Sequence, residues 1–301
     1  MPVWIILLAT ALYLGGLFYM AWQRDKRAEA PDFKQSPTIY ALALAVYCTS
    51  WTYFGAVGTA AASGWDYLAI YLGPILVFLL LPQLIRKIAL VSRREGITTL
   101  SDFLSARYGK SQMVATVATL AAVTGSLPYI SLQLKSIGMS FSALSAPTLI
   151  AGDATPADET VLMCALALAV FAILFGARQT DTTRRNAGLM WVLAFEAVFK
   201  LCGLVAIALL SLAILDRPDV AMSAAAHSAF NVDDVSGRFV TITLLAMGAI
   251  LCLPRQFHVA FIERRDENDD RRARWAFPLY LSVTSLAVIP ITWAGLSVLP
   301  T

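Results

Sequence analysis

The apolar run at residues 38–63 constrains this chain most. It is long enough to cross a bilayer, which takes about 20 residues of helix, yet its middle is a poor helix. Cys48, Thr49, Ser50 and Thr52 crowd small polar and β-branched side chains together, and Gly55, Gly58 and Gly64 follow. Each glycine costs about 1 kcal/mol against alanine in a helix interior. A membrane helix weakened at mid-depth is how secondary transporters build substrate and ion sites. Non-helical backbone is tolerated there only when buried in protein or facing a water-filled cavity. Close helix packing explains small residues equally well, because it lets backbones approach. The stretch alone leaves both readings open.

Similar runs recur along the chain. It is 58% hydrophobic and 14% charged, with a mean hydropathy of +0.68, whereas soluble domains are about 45–50% apolar and about 25% charged. The fold class is therefore all-α integral membrane, since long runs rather than alternating short ones exclude a porin-like barrel. About eight transmembrane helices are expected, at about 3–22, 38–63, 67–90, 113–144, 160–177, 187–215, 238–262 and 275–298. The whole chain, 1–301, reads as one membrane domain without a soluble domain or a low-complexity linker. Segments 23–37, 86–112, 177–188 and 263–274 hold 18 Lys and Arg, and the alternate segments hold only Arg217. That asymmetry puts the first set in the cytoplasm and the N-terminus outside.

Several function classes drop out. Cys48, Cys164, Cys202 and Cys252 all lie in apolar runs, so no disulfide framework is implied. His227 and His258 stand far apart, which argues against a b-type haem. No HExxH, GxSxG or GxxxxGK[ST] occurs, so hydrolase and nucleotide signatures are missing. The chain is expected not to be an enzyme, to need no cofactor, and to meet lipid rather than nucleic acid.

Ionisable residues within membrane spans are costly and functional by default. Glu196 and Lys200 are spaced i,i+4 and share a helix face, as a structural ion pair or as a proton or ion relay. The seventh span is interrupted at residues 252–258 as the second is at 48–53, a weak internal symmetry. If these are paired broken helices, the two weak points should face each other across a cavity near mid-membrane. His258, just beyond the second break, is either a packing residue or a binding one. At 98–109, TTLSDFLSARYG predicts a short helix capped by Thr99 and Asp102, with Leu100, Phe103 and Leu104 on one face. The segment ERRDENDDRRAR predicts a solvated helical extension with local ion pairs.

SWTYFGAVGTAAASG, TTLSDFLSARYG and LPRQFHVAFIE, in this order, resemble the sodium/solute symporter family. VYCTSWTYFGAVG, LPYISLQLKSIG, FEAVFK and RRARWAFPLYL resemble more closely the symporter-like membrane modules of CbrA-type bacterial sensor histidine kinases. The resemblance spans the chain. It implies a partial leucine-transporter-like fold of inverted five-helix repeats with one extra N-terminal helix. Spans two to six would form the first repeat, and spans seven and eight would open the second. On that basis the chain is an N-terminal part of such a domain, ending before the span that supplies hydroxyl ligands to sodium and before any kinase.

Carried over by position, the backbone carbonyls of Ala45 and Cys48 would bind sodium. Ser50, Trp51 and Tyr53 would line the substrate site with Pro254 and Gln256, and His258 joins them as a candidate. Tyr47 stands where some symporters carry an acidic side chain, which weakens direct electrostatic binding of the ion. The implied function is a solute-binding or transport module in the bacterial inner membrane. It would take a small solute such as an amino acid or carboxylate and act as the sensory input of kinase domains in cis. A plain cation-coupled symporter and a membrane scaffold without a working site are the alternatives.

Overall fold

In the computed structural model, which describes residues 3–28, 30, 34–145, 162, 166, 186–218, 220, 222–231 and 237–298, every regular element among the described residues is a helix. α1 (Val3–Ala28) is a single apolar helix with Lys26 and Arg27 in its last turn, where cations meet the negative helix end. The run at 38–63 does not form one helix. Ser36 caps α2 (Pro37–Ala43), its hydroxyl accepting from Thr38 N–H, with Pro37 in the first turn. The chain then tightens into a 3-10 turn, Leu44–Tyr47, and opens, with Cys48 and Thr49 both extended. α3 (Ser50–Tyr53) and α4 (Gly55–Ser63) complete the run. Gly64 ends it at φ +53°, and a Cβ there would lie 2.3 Å from Ala229 O, so glycine is required twice over.

The span expected at 67–90 is also divided, into α5 (Leu68–Leu80) and α6 (Pro82–Arg94), which meet at 79°. Leu81 leaves helical conformation at φ −118°, ψ 41°, and Pro82 brings no N–H to continue the ladder. α7 (Leu100–Arg107) begins on the expected capping box. Thr99 Oγ1 accepts from Asp102 N–H and Asp102 Oδ2 accepts from Thr99 N–H, both at 3.1 Å. Its inward stripe differs from the expected one. Leu100, Phe103 and Ala106 pack on the core while Leu104 is exposed, because a three-residue spacing keeps the short helix in register with Phe257 below it.

α8 (Gln112–Ser145), α9 (Ala187–Leu215), α10 (Ala224–Ser228) and α11 (Gly237–Cys252) follow. Leu253 is extended, α12 (Pro254–Phe257) runs into a π-helical turn (His258–Ile262), and α13 (Glu267–Val298) ends the described chain. Among the described residues α1, α8, α9 and α13 are long and apolar enough to cross a membrane. The count becomes six if the bent pairs α5–α6 and α11–α12, the latter at 57°, are each one span. Of the eight expected, the second is in pieces too short to qualify singly, and the one at 160–177 lies outside the described residues except for Leu162 and Leu166.

α5 lies along α11 and α9 along α13, while α13 also packs on α2 and α5, and α1 on α9. Tyr40, Leu44, Tyr67, Tyr71, Met190 and Phe277 are the large buried side chains at the centre. Leu8 and Leu12 of α1, Leu120 and Leu127 of α8, and Leu209 of α9 are exposed. An apolar outer surface of that extent suits lipid, not water.

The described residues of segments 23–37, 86–112, 177–188 (here only 186–188) and 263–274 come together at one end of the bundle. Gly188 N–H donates to Asp25 Oδ1 at 2.7 Å, and Arg24 stacks over Trp191 at 3.7 Å. Asn186 N–H donates to Glu263 Oε1 at 3.1 Å, and Arg86 pairs with Glu267. The segment 263–274 is in part the expected solvated helical extension, with Asp266, Glu267, Asn268, Arg271, Arg272 and Arg274 exposed and Arg264 paired with Asp270, but it also turns charges inward. Glu263, Arg264 and Asp269 are buried at 3%, 7% and 3% exposure. Burial of that degree demands partners. Arg264 bonds Asp270, which holds the guanidinium's pKa above its ordinary value, and Asp269 accepts from Arg265 N–H at 2.8 Å.

At Gly73 of α5 a Cβ would come within 2.6 Å of Ala246 Cβ and 2.7 Å of Met247 N on α11, whereas at Gly58 it would meet nothing within 4 Å. Gly73→Ala should therefore destabilise by about 1–3 kcal/mol, as overpacking does. Gly58→Ala should be neutral or stabilising. Thermal unfolding in detergent micelles reads both, and equal midpoints for the two variants would disprove the tight α5–α11 approach.

Candidate functional site

Each helix break strands backbone groups whose helical partners are gone, and in a membrane the protein itself must replace them. At the first break, Ala45 O accepts from Cys48 N–H at 2.9 Å, and Leu44 O accepts from Gln256 Nε2 at 3.2 Å. Ser50, which opens α3, gives its N–H and its hydroxyl to Gln133 Oε1, at 3.3 and 2.6 Å. Beyond the second break, Ala260 O accepts from the Tyr40 hydroxyl at 2.7 Å. Pro74 inside α5 removes the donor that Ile70 O would use, and the Tyr47 hydroxyl supplies it at 2.9 Å. Tyr47 thus has a structural use where some symporters carry an acid.

These substitutions draw the two breaks together. Two adjoining cavities open between them, of about 220 and about 210 Å³. Thr49 from the first break, Arg255 from the second and Tyr129 from α8 line both. The first cavity is polar, with Ala45, Cys48, Ser50 and Gln133 on one side and Glu196 and Lys200 on the other. The second is apolar and carries Tyr47, Trp51, Ile70, Tyr71, Leu132 and Leu253. The Trp51 ring lies 6.0 Å from that of Tyr71 and occupies the space that a side chain on Gly55 would need.

The residues proposed from sequence divide into two groups. Ala45, Cys48 and Ser50 line the first cavity and Trp51 the second. Tyr53, Pro254, Gln256 and His258 line neither. The Tyr53 hydroxyl donates to Lys200 O at 2.6 Å, bracing α3 on α9. Pro254 is exposed, and Gln256 is wholly buried, joining the two broken helices through Leu44 O. His258 Nε2 lies 3.4 Å from Glu263 Oε1.

Lys200 Nζ donates to Glu196 Oε2 at 2.9 Å, and the pair faces the first cavity with 36% and 27% of its side chains exposed. It is not sealed between helices, so water or a solute can reach both charges. The sequence reading missed Tyr129 and Gln133 as lining residues and took in Thr49 only as part of the weak stretch 48–53. Their signals were modest: a threonine inside a break, an aromatic next to Pro128, and one amide in an apolar helix. Among the described residues no three His, Cys, Asp or Glu side chains group to hold a metal ion. A hard cation near the first break would rely on backbone oxygens, and Ala45 O retains one lone pair beyond its bond to Cys48 N–H.

Residues 36–149 match the Sodium:solute symporter family. The matched region contains the first break, α5 to α7 and the described part of α8 with Tyr129 and Gln133. No curated protein and no solved structure matches the chain.

Tyr47→Phe removes the donor to Ile70 O and leaves a carbonyl without a partner beside Pro74. It should lower stability by about 1–3 kcal/mol, the cost of a buried unsatisfied acceptor, read as a fall in the unfolding midpoint in micelles. An unchanged midpoint would mean that water already satisfies Ile70 O.

Proposed function

We propose that the chain is a solute-binding membrane module of the sodium:solute symporter kind, non-enzymatic in itself, and the sensory input of a membrane histidine kinase. The observation that supports it most is convergence. Two helix breaks, some 200 residues apart, open on the same two cavities, which is how broken membrane helices serve a substrate. The solute is small, in keeping with the cavity volumes, and an amino acid or carboxylate suits the charged lining. Sodium would sit at the first break on the carbonyls of Ala45 and Cys48. The scheme counts eight spans in a partial leucine-transporter-like inverted repeat, with α1 as the extra helix.

The sensory role rests on the motif resemblance to CbrA-type kinases. A plain cation-coupled symporter is the second reading, favoured by the family match at residues 36–149. Kinase elements beyond Thr301 select the first, and further membrane helices alone select the second.

A thermal-shift screen of amino acids and small carboxylates, run on the chain in nanodiscs, tests the solute site. A solute at about 100 times its Kd should stabilise by about 2.7 kcal/mol, more in sodium than in choline chloride, and Trp51→Ala should abolish the shift. A panel without any shift would leave only the scaffold reading.

On this proposal the module sits in the bacterial inner membrane with its N-terminus outside. The 18-to-one division of basic residues supports this, as do the contacts that bring residues 186–188 to Asp25 and Glu263 and Arg86 to Glu267. In a cysteine-free background, Ser63→Cys should react with an impermeant maleimide in intact cells. Reaction only after permeabilisation reverses the orientation.

A further inference from the structure

Three charged side chains line the polar cavity, and they are not equivalent. Lys200 is neutralised by Glu196 at 2.9 Å. Arg255 is not neutralised, for no carboxylate among the described residues pairs with it. Its guanidinium stacks over the Tyr129 ring, 4.3 Å from the centroid, and donates to the Tyr129 hydroxyl. Both contacts orient the group without removing its charge, and arginine does not shed its proton in a protein. An uncompensated cation at a helix break inside a membrane is expensive unless something anionic meets it.

Gln133 makes a second, independent demand. Ser50 N–H can only donate, so the amide oxygen of Gln133 must face it, and the observed bonds from Ser50 N–H and Ser50 Oγ agree. That fixes the amide orientation and leaves Nε2 as a buried donor with no acceptor. Gln133 and Arg255 line the same cavity. Arg255, which has the Tyr129 hydroxyl but no anionic partner among the described residues, and Gln133 therefore border one space, and a carboxylate, with two oxygens and no donor, suits the charge there. The planar guanidinium also suits a two-oxygen anion in fork geometry.

Arg255 and Tyr129 stand at the junction with the second cavity, whose largely apolar wall includes Trp51, Ile70, Tyr71, Leu132 and Leu253 along with Thr52. We infer that Arg255 is an anion-binding residue of this site. The ligand it selects is a small monocarboxylate whose head lies on Arg255, beside Gln133, and whose apolar, aromatic or branched tail enters the second cavity. The inference rests on the reading of the cavities as a solute site and narrows that reading to one chemical class.

Three probes of one shape separate the possibilities: phenylacetate, 2-phenylethanol and 2-phenylethylamine, titrated by calorimetry into the full chain in nanodiscs. Phenylacetate should bind at least tenfold more tightly than the alcohol, and the amine should not compete. Arg255→Gln should weaken phenylacetate at least tenfold and leave the alcohol unchanged. Arg255→Lys, which keeps the charge and loses the fork, should fall between. Arg217→Gln, an exposed cation lining neither cavity, is the control for general charge effects.

The comparison of phenylacetate with the alcohol needs no variant, so it decides even if Arg255→Gln fails to fold. Equal affinity for acid and alcohol, or unchanged phenylacetate binding in Arg255→Gln, overturns the anion site and leaves solute binding standing. No binding of any probe, with a positive shift by another solute in the thermal screen, also overturns this inference alone. Silence in both experiments overturns the solute site as well.

Discussion

The structure depends on how a peptide group is satisfied where no water is available. Three of the described apolar segments have their helical ladder interrupted, at four places: by extended residues at Cys48–Thr49 and Leu253 and by Pro74 and Pro82. Each interruption strands carbonyl or amide groups at several kcal/mol apiece if left to lipid. Side chains from other helices take their places: Gln256 on Leu44 O, Gln133 on Ser50 N–H, Tyr40 on Ala260 O and Tyr47 on Ile70 O. A bond of this kind is directional and cannot be replaced by a sliding apolar contact. It therefore sets which helices neighbour one another and at what depth.

The same device produces the cavities. Helices interrupted at the same level cannot close against each other there, because extended backbone presents no smooth row of side chains. The space left between them is lined on one side by what serves the breaks, Ser50 and Gln133, and on the other by α9 with Glu196 and Lys200. Tyrosine is well suited to the bracing work, since it fills core volume with its ring and reaches a carbonyl with its hydroxyl. Tyr67 on Ser285 O and Tyr280 on Ala197 O extend the pattern to α13 and α9, both at 3.0 Å. The helices that frame the cavities are thereby held by polar bonds as well as packing.

At the basic end a different rule holds. Glu263, Arg264 and Asp269 are buried where composition suggested a solvated surface. Charge density in a sequence says how much water a segment could hold, not how much it meets. Here the π-helical turn and the start of α13 fold the segment back on α6 and α9, and the charges find one another instead. The resulting knot ties together segments that are far apart in the chain.

The sequence by itself determined the class. Hydrophobic runs of bilayer length fix an all-helical membrane chain, because every backbone group must be bonded within its own segment. The weak points at 48–53 and 252–258 were legible from clustered hydroxyls, glycine and Pro254, since helix propensity is local chemistry. So were the cap at Thr99 and the pairing of Glu196 with Lys200, which depend on spacing along one helix. The tertiary structure alone decided which side chains reach the space between the breaks. Trp51 and Ser50 do, while Gln256 and Tyr53, equally plausible on the page, are spent on Leu44 O and Lys200 O. It also brought Tyr129, Gln133 and Arg255 to one place. A polar residue's role depends on which unpaired group lies opposite it, and that neighbour belongs to another helix, fixed only when the bundle closes.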